Sequence, residues 1–260
     1  MTDIPRTYFP SDLVLSSVAR QRGDTTISVV VPAQNEATTI GAVLDAVLAT
    51  NQLFPRFVTE TIVVDDHSSD DTATVARRHG ATVVVNPGQP GKGAAMSLGL
   101  AAASGEIVVF LDGDVTNTTA EFVPRLVAPL LEQPQVVLVK AFYERPLHNM
   151  PTGGGRVTEL AARPILSLLY PGLGEIRQPL AGETAGRRST LNKLGFDDSY
   201  GVEMALLIDV ARTYGVSAVA QVDLGVRRHR NRPLEELRPM SVDVLRAALT
   251  RFGVELPSTI

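Results

Sequence analysis

Asp112-Gly113-Asp114 follows a short apolar run, Glu106 to Leu111, and is the sharpest chemical signal in the chain. Two carboxylates one residue apart at a strand end can both reach one site when the turn is tight, and the glycine between them relaxes the backbone. Hard divalent cations favour such oxygen donors and leave their other positions to water and substrate phosphates. Upstream, Pro90-Gly91-Lys92-Gly93 puts a cation at the start of an expected helix. Unpaired N–H groups and the helix dipole favour an anion there. The loop matches neither familiar phosphate motif. Residue 86 is Asn and residue 93 Gly where a Walker loop needs Gly and Ser or Thr, and residue 96 is Met where a dinucleotide fingerprint needs Gly or Ala. Each feature also has a plain alternative: turn-capping carboxylates in one case, a solvated lysine on a glycine turn in the other.

Polar segments follow the other apolar runs as well. Pro32-Ala33-Gln34-Asn35-Glu36 comes after Ile27 to Val31, and Asp65-Asp66-His67-Ser68-Ser69-Asp70 after Thr61 to Val64. Adjacent like charges repel, so Asp65 and Asp66 are either solvated or at least one meets the polar face of a ligand such as a base or ribose. Ser68 to Asp70 can equally cap the helix that follows, and Asn35 and Glu36 face the same choice between capping and binding. In the second half, Gly153-Gly154-Gly155-Arg156-Val157-Thr158 sets flexible backbone, a guanidinium and a hydroxyl at a helix start. That combination suits a small anionic ligand. Arg227-Arg228-His229-Arg230-Asn231-Arg232 places one imidazole among four arginines after another apolar run. Glu203, in the first turn of a largely apolar helix, can either stabilise the helix dipole or bond a sugar hydroxyl.

These residues need a frame. From Thr26, continuous apolar runs alternate with helical stretches, a βαβα pattern that predicts an α/β fold with a mostly parallel sheet flanked by helices. Ligands bind beyond the carboxyl ends of strands in such sheets, which is where these polar segments fall. Residues 1–24 show no clear period and read as an N-terminal arm, and residues 25–145 and 146–260 read as two halves of the same domain. The stretch from Glu144 to Gly155 is rich in turn residues. In the last helix, Val242, Leu245, Leu249 and Phe252 share one face, expected to be core or subunit contact.

Composition narrows the chemistry. The 260 residues contain no cysteine, which removes disulfides, thiolate metal sites and cysteine nucleophiles. Any metal must sit on oxygen or imidazole. A hydrophobic content of 44% is globular, no apolar run reaches membrane-spanning length, and the start lacks a signal-like segment, so a cytoplasmic protein with no membrane partner is expected. The formal charge of −4 argues against a general nucleic-acid binder. In this acidic chain, the local arginine run fits phosphorylated small ligands.

A metal D-x-D, a nucleotide-facing aspartate cluster and a separate anion pocket together describe transfer from a nucleotide diphosphate-sugar. Ile27 to Glu36, Pro90 to Gly93 and Asp112 to Asp114 resemble the GT-A nucleotide-sugar glycosyltransferases, whose fold is Rossmann-like. Thr152 to Leu160, Tyr200 to Asp209 and Leu224 to Leu234 are similar to the actinobacterial glucosyl-3-phosphoglycerate synthases, and the likeness runs from about Thr26 to Phe252. The resemblance implies a retaining, Mg²⁺- or Mn²⁺-dependent transfer of glucose from UDP-glucose to the 2-hydroxyl of 3-phosphoglycerate by a homodimer, with residues 25–145 as the nucleotide-sugar-binding half and residues 146–260 as the acceptor-binding half. It implies that Pro32, Ala33, Gln34, Glu36 and Asp66 hold the uridine, that Lys92 lies by the pyrophosphate and ribose, and that Asp112, next to Gly113, lies on the ribose. Asp114 and His229 take the place of the metal ligands, Gly155, Arg156, Thr158 and Asn231 that of the phosphoglycerate site, and Glu203 that of the glucose contact. Catalysis is accordingly expected from Asp114, His229, Glu203 and Lys92.

The sequence departs from that pattern on the donor side. Asp66 and Gly113 stand where the family commonly has Ser, and the loop before Gly91 looks shorter than in mycobacterial members. GDP-glucose or GDP-mannose as donor, or another small acceptor, is therefore the nearest alternative. A sugar-1-phosphate nucleotidyltransferase would normally carry its glycine-rich loop after the first strand, where this chain has Pro32-Ala33. A non-catalytic nucleotide-sugar-binding protein is the alternative from another class.

Overall fold

The computed structural model of the protein describes residues 4–147, 150–153, 155–228 and 234–257. Its strands are β1 (Arg6–Tyr8), β2 (Ile27–Ala33), β3 (Glu60–Asp65), β4 (Thr82–Val85), β5 (Ile107–Phe110), β6 (Leu138–Glu144), β7 (Pro146–Leu147), β8 (Met150–Gly153), β9 (Thr184–Arg187) and β10 (Val219–Val226). Its α-helices are α1 (Leu15–Arg22), α2 (Ile40–Leu53), α3 (Thr72–Arg78), α4 (Lys92–Ala102), α5 (Phe122–Glu132), α6 (Arg163–Leu169), α7 (Arg188–Leu194), α8 (Val202–Tyr214) and α9 (Leu234–Phe252). Eight strands form one sheet in the order β1-β10-β6-β9-β5-β2-β3-β4, and β7 pairs with β8 alone. Every neighbour in the large sheet is parallel except β9, which runs antiparallel to both β5 and β6.

The apolar runs become strands because both faces of the sheet are covered. Val29 and Val31 of β2 enter one core layer with Ile40, Leu44 and Leu126, while Val30 enters the other with Met96, Leu166 and Leu206. Burying such a side chain contributes about 1.5–3 kcal/mol, so a continuous Val run is stabilised from both sides. Glycine permits the tightest approach of helix to sheet: a Cβ on Gly99 of α4 would lie 2.3 Å from a methyl of Val30.

Two expectations change. Residues 1–24 were expected to form an arm, yet Arg6–Tyr8 adds the edge strand beside β10 and α1 buries Val18 in the core. The short strand and its helix are fixed by tertiary contacts, which leave no long period in the sequence. On α9 the core half of the expectation changes: Val242 and Phe252 are exposed, as a subunit contact would require, and the residues buried in the core are Val244, Ala247 and Ala248. Small residues serve here because α9 approaches the start of α8 closely; a Cβ on Gly201 would stand 2.8 Å from that of Ala247.

Candidate active site

The polar residues at the carboxyl ends of β2, β3, β5 and β10, the start of α4 and the segment after β8 open onto one cavity of about 230 Å³. Pro32, Ala33, Gln34, Glu36 and Asp66 line it as a first wall, and Lys92, Asp112, Gly113 and Asp114 line it as well. Gly155, Arg156 and Thr158 also line it, with Glu203 and Tyr200. His229 and Asn231 lie outside the described residues, as does Gly154.

The first wall is cross-braced. Asn35 donates its N–H to Ser68 Oγ at 3.0 Å, and its own Oδ1 accepts from the Ser69 N–H at 2.8 Å. The Glu36 N–H donates to Thr72 Oγ1 at 2.8 Å, and the Ala37 N–H to Asp70 at 3.1 Å. Asn35, Ser68, Ser69 and Asp70 therefore tie two loops together, and Asn35 accepts a positive φ of 58° to do so. Asp66 lines the cavity while its carboxylate braces the next loop. Oδ1 accepts from Asn86 Nδ2 at 2.7 Å and Oδ2 from the Gly91 N–H at 2.9 Å.

The glycines around Lys92 are explained by packing. A Cβ on Gly91 would lie 2.5 Å from the Asp198 carbonyl oxygen, and one on Gly93 1.6 Å from that of Asp197. Only a bare backbone lets the 197–198 segment press on this loop. From there Lys92 Nζ reaches Asp112 at 2.9 Å and Glu203 at 2.5 Å, joining residues of both halves of the chain. Burial alone would push the Lys92 ammonium down, but Asp112 and Glu203 outweigh it and hold it well above the usual lysine range. For Asp112, burial opposes ionisation, and Lys92 and Arg227 overcome it and hold the carboxyl far below the ordinary range.

Arg227 is the residue that sequence reasoning undervalued. It is buried, and its Nη2 donates to Asp112 Oδ2 at 2.6 Å and to Asp114 Oδ1 at 3.2 Å. Its Nη1 donates to the Tyr143 hydroxyl at 2.9 Å, and its Nε lies 3.4 Å from buried Glu183. Burial raises the Glu183 carboxyl, against the pull of Arg227. Lys140, also buried, donates to the Ala181 carbonyl at 2.5 Å and to Thr184 Oγ1 at 2.9 Å, and so pins the approach to β9. Desolvation pushes Lys140 down to about 8. Between those anchors, a Cβ on Gly182 would fall 2.0 Å from Asp112 Oδ1, so glycine there leaves room for the carboxylate. The signal that could have found Arg227 is positional, since it is the first residue after a parallel strand. Glu183 and Lys140 carried no comparable mark.

Asp112 and Asp114 aim two oxygens at one cationic nitrogen, so the pair already accommodates positive charge, and oxygen donors are the chemistry a hard divalent cation requires. Among the described residues no third carboxylate or imidazole joins them to complete a metal cluster.

Comparison with known proteins agrees with this geometry. The family model described as glycosyl transferase family 2 matches residues 28–179. The chain belongs to glycosyltransferase family 2. It is 49% identical over 243 residues to a glucosyl-3-phosphoglycerate synthase of Mycobacterium tuberculosis, covering 88% of this chain and 74% of the relative. Two solved structures of the M. tuberculosis glucosyl-3-phosphoglycerate synthase superpose on this family member with TM-scores of 0.88 at 45% identity. One is a complex with Mg²⁺ and UDP, covering 96% of this chain and 88% of that one. The other, with Mn²⁺, UDP-glucose and phosphoglyceric acid, covers 97% and 88%. The GT-A architecture expected from the sequence is thus the observed one, and the chain is a glycosyltransferase.

Proposed function

We propose that this glycosyltransferase moves glucose from UDP-glucose to the 2-hydroxyl of 3-phosphoglycerate, with retention of the α configuration, giving glucosyl-3-phosphoglycerate. The observation that carries the reading is the single cavity onto which the strand-end loops and the Gly155–Thr158 segment both open. Donor and acceptor can then meet without crossing solvent. In this reading residues 25–145 form the donor side and residues 146–260 the acceptor side of one domain, with Asn231 completing the phosphate site.

Asp114, together with His229, would hold Mg²⁺ or Mn²⁺, and Asp112 lines the same cavity as Asp114. When bound, that cation neutralises charge on the leaving diphosphate. Lys92 adds a fixed positive charge close to the same place, held there by Asp112 and Glu203 before substrate arrives. Pro32, Ala33, Gln34, Glu36 and Asp66 enclose the uridine. Glu203 orients the transferred glucose.

Neither Glu203 nor Asp112 is disposed as a nucleophile, because each is already bound to Lys92 and Asp112 also to Arg227. Front-face attack follows, with the departing phosphate taking the acceptor proton. We further place the enzyme in the cytoplasm as a homodimer. The exposed side chains of Leu160, Leu168 and Phe252 support an apolar contact surface, and no helix among the described residues is long and apolar enough to cross a membrane.

The test is a turnover screen with Mn²⁺ or Mg²⁺, offering UDP-glucose, GDP-glucose and GDP-mannose with and without 3-phosphoglycerate. Release of UDP only when phosphoglycerate is present, with a product of phosphoglycerate plus hexose mass, is expected. Nucleotide release that ignores phosphoglycerate would contradict the acceptor, and preference for a GDP-sugar would contradict the donor.

A further inference from the structure

The acceptor carries two anions, a phosphate at one end and a carboxylate next to the hydroxyl that reacts. The Gly155, Arg156, Thr158 and Asn231 set is assigned to the phosphoglycerate as a whole, and no residue is assigned to its carboxylate in particular. Four cationic side chains line the cavity among the described residues: Lys92, Arg145, Arg156 and Arg227. Lys92 is committed to Asp112 and Glu203, and Arg227 to Asp112, Asp114 and Glu183. Among the described residues, Arg145 forms no ion pair with a carboxylate, and its buried Nε has no hydrogen-bond partner.

Its position is between the phosphate segment and the reacting centre. On one side, a Cβ on Gly155 would lie 3.2 Å from Arg145 Cδ and Nη1, so the guanidinium rests against the residue that opens the phosphate segment. Gly155 has a φ of +72°, and the absent side chain leaves that contact open. On the other side, Arg145 Nη2 donates to the Tyr143 hydroxyl at 3.1 Å, the same oxygen that accepts from Arg227. Both guanidinium groups also stack on the Tyr143 ring, at 5.1 and 5.3 Å from its centroid. Arg145 is thereby oriented by a buried aromatic, one residue removed from the arginine that holds the aspartate pair.

Resting on the phosphoglycerate reading above, we propose that Arg145 is the receiver of the acceptor's carboxylate and sets preference for a phosphorylated hydroxy acid over a phosphorylated polyol. A planar guanidinium pairs with a carboxylate through two parallel N–H bonds, which a lysine cannot reproduce. A ligand with phosphate but no carboxylate, such as glycerol 3-phosphate, engages the phosphate segment and leaves Arg145 unused.

The experiment measures dissociation constants of 3-phosphoglycerate and of glycerol 3-phosphate on the full chain with Mn²⁺ and UDP present, for wild type, Arg145→Met and Arg145→Lys. UDP affinity and thermal unfolding serve as the check that each variant is folded. Arg145→Met is expected to weaken 3-phosphoglycerate at least about tenfold and glycerol 3-phosphate less than about twofold, collapsing the preference, with Arg145→Lys recovering only part of it. Equal weakening of both ligands overturns the proposal by moving Arg145 to the phosphate, and no change in either removes it from the site. Wild type that binds neither ligand overturns the phosphoglycerate reading itself, an outcome distinguishable from the other two. Arg145→Lys that retains the full preference overturns the bidentate role.

Discussion

The two walls proposed for the cavity, one for the donor and one for the acceptor, are built on different principles. The donor wall is a set of strand-end loops bonded to one another through backbone N–H groups, as in the Asn35–Ser69 and Asp66–Gly91 contacts. The acceptor wall is built otherwise. It presents a helix that begins near Arg156, passes through one wide π turn at Thr158–Ala162 and continues as α6, facing guanidinium groups aligned on Tyr143. A π turn inside a helix often marks a functional site, because it redirects side chains at the cost of regular bonding. The donor wall is shaped by local chain geometry, whereas the acceptor wall depends on long-range charge and stacking. Arg227 joins them, through the aspartates on one side and Tyr143 on the other.

The largest break in that comparison comes from removing the joint. Arg227→Met leaves Asp112, Asp114 and Glu183 without their guanidinium and should cost about 3–5 kcal/mol of stability, read by denaturant unfolding, with transfer activity lost. A variant as stable as wild type would mean that the buried charges are held some other way. Next in size is Gly182→Ala. A methyl placed 2.0 Å from Asp112 Oδ1 must displace that carboxylate, and a displacement near 1 Å lowers turnover by about 10²-fold. Unchanged kcat would show that Asp112 tolerates displacement.

Asp66→Asn probes the donor wall alone. Both oxygens of Asp66 accept hydrogen bonds, so an amide there must turn its NH₂ toward one donor, either Asn86 or Gly91. Loss of a charge-assisted bond of this kind costs about 1.5–3 kcal/mol. It should appear as a raised KM for UDP-glucose with the affinity for phosphoglycerate unchanged; an equal loss for both substrates would erase the distinction between the walls.

The smallest effect is one of pH. Burial depresses Lys140 to about 8 from an ordinary 10.5, so between those values the unfolded chain carries a proton the folded chain has released. Stability contributed by this group therefore rises with pH across that window. Lys140→Met should flatten the rise in an unfolding series, and a slope that persists would assign it to another group. On the acid side the slope has the same sign: Asp112, held well below the usual range, contributes fully above its ordinary 3.8 and loses that contribution as pH falls further, so stability again rises with pH.

Most of the wall proposed for the donor is located by the sequence, because its residues directly follow continuous apolar runs and the parallel-sheet rule places ligands there. The strand β9 was not. Thr184-Ala185-Gly186-Arg187 has no β-branched run, and its place between β5 and β6 is set by partners on both sides. With β9 missing from the reading, Glu183 and the Gly182 contact had no context. The glycines flanking Lys92 were recognised as a loop signal, but their physical reason, the backbone of residues 197–198, lies over 100 residues away in the chain. Arg145 lies inside a turn-rich stretch that masks its signal, although it too is the first residue after a parallel strand.

The central claim is that both walls serve one reaction in one cavity. A crystal structure of the protein with Mn²⁺, UDP and 3-phosphoglycerate tests it most directly. The account predicts UDP along Pro32 to Glu36 and Lys92, with phosphoglycerate between Arg156 and Arg145 and its 2-hydroxyl turned toward the diphosphate. Phosphoglycerate bound outside this cavity, or with its hydroxyl turned away from the diphosphate, would contradict it.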